Sequence, residues 1–83
     1  MNKLQKQIIE EKLTKVIQRI DRIEDKDELT DRDKERLTEL FGVLEGADEI
    51  LTVLGYVRRY HDGGEDENGK RGRSWYTLEK IGG

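Results

Sequence analysis

The sequence predicts an α+β fold that is mainly α, with a long antiparallel helical hairpin followed by a C-terminal β-hairpin. Two stretches carry apolar residues at alternating spacings of three and four, which is typical of helices packed lengthwise on each other. A short charged segment separates these stretches, and the chain contains no proline. After Gly55 the pattern changes to aromatic and β-branched residues on either side of a glycine-rich loop, which indicates two strands.

We expect one domain, 1–83, with a helix over about 3–25, a turn at 26–30, a helix over about 31–55 and a β-hairpin over about 56–81. Thr30 is a good N-cap for the second helix, and Asp33 approximates the partner residue of a capping box. The helices should meet through two apolar stripes, Ile9, Leu13, Val16, Ile20 and Ile23 in the first and Leu37, Leu40, Leu44, Ala47, Leu51 and Leu54 in the second.

The second helix has another apolar side that needs a cover of its own, made of Gly42, Val43, Gly46, Ile50 and Val53. A glycine inside a helix costs about 1 kcal/mol relative to alanine. Two glycines four residues apart predict a face where another backbone comes close, either a second subunit or the C-terminal segment. The alternative is a helix that breaks at GVLEG. An 83-residue chain without cysteine lacks disulfides, so we expect it to gain stability as a homo-oligomer through this side.

Charge is segregated along the chain. Residues 1–23 carry a net charge of +3, residues 24–55 carry −7 and residues 56–83 carry +1. The opposite signs favour pairing of the two helices. No signal peptide or membrane span is recognisable, so the protein is expected in the cytoplasm, or in the host cytoplasm if a phage encodes it.

The inventory of reactive side chains argues against an enzyme. The single histidine, His61, has only Ser74 as a plausible nucleophile across the hairpin, on an arm without a pocket. Without cysteine, the usual zinc ligand sets are missing, and the acidic loop 62–68 does not have the spacing of an EF-hand. We therefore predict no catalytic residues, no metal site and no cofactor.

Arginine and aromatic residues concentrate in the C-terminal third, and Asn68-Gly69 is a strong hairpin-turn signal. A turn there would place Arg58, Arg59 and Tyr60 roughly across from Trp75, Tyr76 and Thr77. Arginine with aromatics suits a protein interface, and equally suits stacking on a nucleotide. The alternative is that the aromatics pack the hairpin on the helices. The candidate binding residues are Arg58, Arg59, Tyr60, Arg71, Arg73, Trp75 and Tyr76.

The segment LFGVLEG, a following short helix and YVRRYHDGG…RSWYTLEK resemble the second half of winged-helix regulators. In that family a recognition helix ends in a glycine, and two strands flank a basic wing, so the resemblance implies nucleic-acid binding. The corresponding helix here, ADEILTVL, carries Asp48 and Glu49 in place of basic or amide side chains. Nucleic-acid binding is therefore the alternative, together with a purely structural self-association module.

The preferred hypothesis is a small non-catalytic binding or inhibitor protein that acts as an oligomer. It would occlude a partner protein or sequester an anionic, nucleotide-like ligand. In size, charge density and lack of catalytic groups, the chain looks like the accessory inhibitors that phages and mobile elements encode, including those that counter bacterial defence.

Overall fold

A computed structural model describes residues 1–65, 67–69 and 72–82. It contains helix α1 (Lys3–Glu24), helix α2 (Asp31–Leu54), strand β1 (Tyr56–His61) and strand β2 (Trp75–Lys80). The strands form one antiparallel two-stranded sheet. The expected fold class and order of elements are confirmed, and the helix ends agree with the expected ones to within one residue.

Both helices begin at capping boxes. The Thr30 side chain accepts a hydrogen bond from the Asp33 N–H, and the Asp33 carboxylate accepts one from the Thr30 N–H, so the expected capping box is confirmed. Asn2 and Gln5 make the equivalent pair at the start of α1. Helix α2 ends at Gly55, whose φ of 86° lies in the left-handed region that glycine adopts without strain.

Helix α2 runs without interruption through Gly42 and Gly46. The alternative in which it breaks at GVLEG is therefore wrong, and so is the separate short helix on which the winged-helix resemblance depended. The local cost of two glycines is small beside the continuous hydrogen bonding of a 24-residue helix whose inner side is packed.

The core lies where the two helices and the sheet meet. Its buried side chains come from α1, α2 and β2, namely Leu13, Ile17, Ile20, Leu40, Leu44, Leu51, Tyr76 and Leu78. The hairpin belongs to the same core as the helices, because β2 contributes Tyr76 and Leu78 to it. The apolar stripe of α2 ends one turn earlier than expected, since Leu54 remains 52% exposed.

The strand register sets which side chains face this core. Arg58 lies opposite Leu78, Arg59 opposite Thr77 and Tyr60 opposite Tyr76. This register differs by one residue from the pairing expected from the sequence. A shift of one residue in a strand moves the side chains of that strand to the opposite face of the sheet. Beyond the strands, the two arms of the loop lie close together at Gly63 and Gly72. A Cβ added at Gly63 would lie 2.7 Å from the Arg73 carbonyl oxygen, and one added at Gly72 would lie 2.6 Å from the Gly63 carbonyl oxygen.

Candidate binding site

The register divides the candidate binding residues between two faces of the hairpin. The inner face, which packs on the helices, carries Tyr56, Arg58, Tyr60, Tyr76, Leu78 and Lys80. The outer face carries Val57, Arg59, His61, Trp75, Thr77 and Glu79. Arg73 precedes β2 and is exposed, and Arg71 lies outside the described residues.

Arg58 holds the hairpin on α2. Its Nε and Nη2 atoms donate to the two carboxylate oxygens of Asp48 at 2.8 and 2.7 Å. Its guanidinium carbon lies 4.5 Å from the centre of the Tyr76 ring, in cation–π geometry. The hydrogen bonds from Arg58 lower the pKa of Asp48 and outweigh the opposing effect of burial. Arg58 is therefore already engaged within the chain.

Tyr60 and Tyr76 are likewise engaged on the inner face. Their rings meet edge to face at 5.9 Å, and the Tyr60 hydroxyl lies 2.9 Å from the hydroxyl of the wholly buried Ser74. Burial raises the pKa of Tyr76 above its ordinary value, against the lowering effect of Arg58. Of this pair, only Tyr60 keeps a large exposed fraction, 48%.

The outer face holds the candidate residues that remain available to a partner. Trp75 is 41% exposed, and its ring stacks on His61 at 5.0 Å with an angle of 12° between the planes. His61 Nε2 lies 2.7 Å from the Thr77 hydroxyl, which fixes the orientation of the imidazole. On the same face, the exposed Arg59 side chain pairs with Glu79, which lies beyond Thr77 from the stack.

The two faces also separate the only histidine from the buried serine. His61 lies on the outer face, while the Ser74 hydroxyl is directed to Tyr60 on the inner side. Their side chains therefore do not form a nucleophile–base pair. Among the described residues, no three His, Asp or Glu side chains are placed to hold a metal ion together.

Side chains of α1 lie along the edge of β2 that does not pair with β1, an arrangement that sequence analysis missed. The Thr14 hydroxyl accepts from the Tyr76 N–H at 3.0 Å and lies 3.5 Å from its carbonyl. A Glu10 carboxylate oxygen accepts from the Leu78 N–H at 2.7 Å, and Gln18 Nε2 donates to the Ser74 carbonyl at 3.3 Å. The signal was present, since residues 10, 14 and 18 form a polar row beside the apolar stripe.

The spacing explains why this row fits a strand. Four residues of helix advance about 6.0 Å, and two residues of strand advance about 6.7 Å. Successive α1 side chains therefore reach successive outward-directed backbone groups of β2. This edge of the sheet is closed by side chains of α1.

The second apolar side of α2 is uncovered in the single chain. Apart from its two chain neighbours and the backbone of its own helix, a Cβ added at Gly42 or Gly46 would meet no atom of the described chain within 4 Å. Val43, Ile50 and Val53 are 52%, 64% and 87% exposed. A separate open groove lies where α1 begins and α2 ends, lined by Met1, Gln5, Ile8, Ile9 and Leu54.

Arg73 lies apart from the outer face. It lines a shallow cleft with Gly72 and the end of α1, which contributes Gln18, Asp21, Arg22 and Asp25. The six candidate residues that the structure describes thus form no single pocket: Arg58, Tyr60 and Tyr76 lie on the inner face, Arg59 and Trp75 on the outer face, and Arg73 in this cleft.

Comparison of the chain with protein-family models, with characterised proteins and with solved structures gives no match. Across the described residues, neither helix is long and apolar enough to cross a membrane.

Proposed function

We propose that the chain is a small non-catalytic binding protein that acts as an oligomer and blocks a partner protein with the outer face of its hairpin. The observation that carries this proposal is the division of the hairpin. Arg58 and Tyr76 stabilise the fold, whereas Trp75, stacked on His61, and Arg59, paired with Glu79, remain exposed. Tryptophan and arginine are enriched among interface hot spots.

The proposed oligomer uses the uncovered side of α2, with Gly42, Val43, Gly46, Ile50 and Val53. Its occupant is a second copy of this chain. The charges support this choice, because residues 1–23 carry +3 and residues 24–55 carry −7, so α1 of one copy attracts α2 of the next. The exposed Val43, Ile50 and Val53 also lie on one side of α2, and clustered apolar side chains on a surface are typical of interaction sites.

The setting we propose is an accessory inhibitor of phage or mobile-element origin that acts in the cytoplasm against a host defence protein. A second candidate function is sequestration of a nucleotide-like anion. The specific observation in its favour is that the Trp75–His61 stack and Arg59 share one face of the hairpin, because an aromatic platform and a cation on one surface suit a base and a phosphate.

Affinity capture from bacterial lysate tests the protein-binding proposal. The wild-type chain should retain a specific protein, and the Arg59→Ala/Trp75→Ala double variant should lose it. Arg36→Ala is the matched control, because its side chain is 56% exposed against 60% for Arg59. Capture that is unaffected by the double variant would contradict the proposed face. Calorimetry against nucleotides and cyclic nucleotides decides the second candidate, which requires binding that Trp75→Ala abolishes.

Light scattering tests the oligomer separately. The wild-type chain should be a dimer or larger, and Ile50→Lys/Val53→Lys should yield monomers with an unchanged helical circular-dichroism spectrum. Thr52→Lys, at an exposed position of α2 that lies in the row of Asp48 and not in that of Gly42 and Gly46, should leave the mass unchanged. A strictly monomeric wild-type protein would remove the physical basis of this part of the proposal.

A further inference from the structure

One side of the helical hairpin faces away from the sheet and is exposed. Residues two positions apart in an α-helix point about 200° apart, so they lie on nearly opposite sides. Glu10 bonds to the backbone of β2, and Ile8 therefore points away from the sheet on α1. Asp48 is bonded by an arginine of β1, and Ile50 therefore points away from the sheet on α2. We call the side that carries Ile8 and Ile50, which are 44% and 64% exposed, the free helical face.

The apolar part of the free helical face lies in the half of the hairpin remote from its turn. On α2, Val43, Ile50 and Leu54 follow at spacings of seven and four, so they form one row, and each is more than half exposed. Ile8 and Leu54 both line the open groove where α1 begins and α2 ends. The start of α1 and the second half of α2 therefore share one apolar surface.

The half of the free helical face next to the turn is charged. On α1, the row of Ile8 continues with the exposed Lys12, Lys15 and Arg19, at spacings of four, three and four. This row is wholly basic. On α2, the first turns form a cleft with two acidic and two basic side chains, Arg32, Glu35, Arg36 and Glu39. Because the signs balance, this stretch of α2 is neutral and offers two carboxylates.

A second copy can pack on this face about a two-fold axis in two ways. With the axis across the helices, α1 lies over α1 of the other copy. The apolar half of each chain then meets the charged half of the other, and Lys12 lies level with Lys15 of the other copy. With the axis along the helices, α1 lies over α2 of the other copy, the apolar halves meet, and the basic row meets two carboxylates. Apolar position and charge therefore favour the same arrangement.

We propose that the chain forms a closed dimer, a four-helix bundle whose two-fold axis runs along the helices and in which the start of α1 packs on the end of α2 of the other copy. The inference rests on the oligomer of the proposed function, and it adds α1 to the interface and fixes the symmetry. Each copy supplies both halves of the contact, so two equivalent contacts close the dimer. Neighbouring helices are antiparallel, as in up-and-down four-helix bundles. The sheets lie on the two outsides of the bundle, so the outer face of each hairpin stays available to a partner protein.

Disulfide cross-linking tests this arrangement, because the chain has no cysteine of its own. An Ile8→Cys chain is refolded together with a size-tagged Leu54→Cys chain and oxidised. A disulfide needs Cα atoms within about 7 Å of each other, and these two positions of different copies lie level in the apolar half of the bundle. The mixed dimer should form at least tenfold more than with a Thr52→Cys chain, whose exposed side chain lies on the side of α2 that Asp48 occupies. Ile8→Cys alone should likewise give at least tenfold less.

Light scattering over a series of protein concentrations measures the contribution of α1. The wild-type chain should be a dimer and no larger. Ile8→Lys should weaken the dimer at least tenfold with an unchanged helical circular-dichroism spectrum. Gln7→Lys is the matched control, because this exposed neighbour lines a cleft beside β2, and it should weaken the dimer less than threefold. If Ile8→Lys loses helix content, the cross-linking result decides alone.

Each other outcome overturns the bundle. A dimer that withstands Ile8→Lys and gives no mixed cross-link would leave an oligomer through α2 standing and remove α1 from its interface. Predominant self-linking of Ile8→Cys would indicate the axis across the helices, and a mass above that of a dimer would exclude closure. A monomeric wild-type chain would overturn this inference together with the proposed oligomer. Arg59→Ala/Trp75→Ala should leave the mass of the dimer unchanged, so partner capture by the outer face fails or stands separately.

Discussion

Neighbouring arginines on β1 offer a direct test of the register. Replacing Arg58 by alanine removes two charge-assisted hydrogen bonds to Asp48 and the contact with the Tyr76 ring. The side chains of Arg58 and Asp48 are 20% and 41% exposed, so solvent screening places the hydrogen bonds at about 1–2 kcal/mol. The cation–π contact adds about 0.5–1 kcal/mol.

We therefore expect Arg58→Ala to lower the free energy of unfolding by about 2 kcal/mol, which corresponds to a fall in Tm of about 8–16 °C for a chain of this size. Arg59→Ala is the control. The side chains of Arg59 and Glu79 are 60% and 55% exposed, so their ion pair should contribute less than about 0.5 kcal/mol. The assay is thermal and urea unfolding followed by circular dichroism at a fixed protein concentration, since self-association shifts apparent stability. Equal losses for the two variants, or a larger loss for Arg59→Ala, would refute the assignment of the two faces.

Two further predictions follow from the inner contacts of the chain. Thr14→Val preserves the shape of the side chain but leaves the Tyr76 N–H without its acceptor, so urea unfolding should show a loss of about 1–2 kcal/mol. Thr38→Val, at an exposed threonine bonded only within its own helix, should change stability by less than about 0.5 kcal/mol, and an equal loss would contradict the role of the α1 side chains. The pKa of Asp48 is lowered in the folded chain, so the unfolded chain binds a proton at this carboxylate more readily. The stability that Asp48 contributes is therefore fully present above the ordinary carboxyl pKa. It is lost as the pH falls through the lowered pKa of the folded chain. Unfolding measured between about pH 5 and pH 2 should therefore be less pH-dependent in Asp48→Asn, and an unchanged profile would contradict the pairing with Arg58.

The helices were predictable because their signals are local. Apolar periodicity, the Thr30–Asp33 capping box and the glycine that ends α2 act within a few residues of each other, and each predicted feature is present. Periodicity also identified an apolar side of α2 beyond the helix–helix contact, and the glycines and valines on that side are exposed.

The hairpin was predictable as an element but not in its side-chain roles. The sequence alternates Arg58 and Arg59, and only the register decides which one turns inward to Asp48 and which outward to Glu79. The register depends on the loop between the strands and on contacts with α1 more than fifty residues away in sequence. The polar row of α1 indicates a polar contact but does not identify β2 as its partner, so seven candidate residues could be named but not sorted.

The hydrogen bonds between α1 and β2 join residues separated by 56 to 68 positions in the chain. Closing so large a loop costs more chain entropy than forming the helical hairpin, whose two arms are joined by a short turn. We therefore expect the helices to pair first and β2 to dock last, when the hydroxyl of Thr14 and the carboxylate of Glu10 exchange water for backbone N–H groups. In this order of events, the hairpin has distinct inner and outer faces only after β2 has docked beside α1.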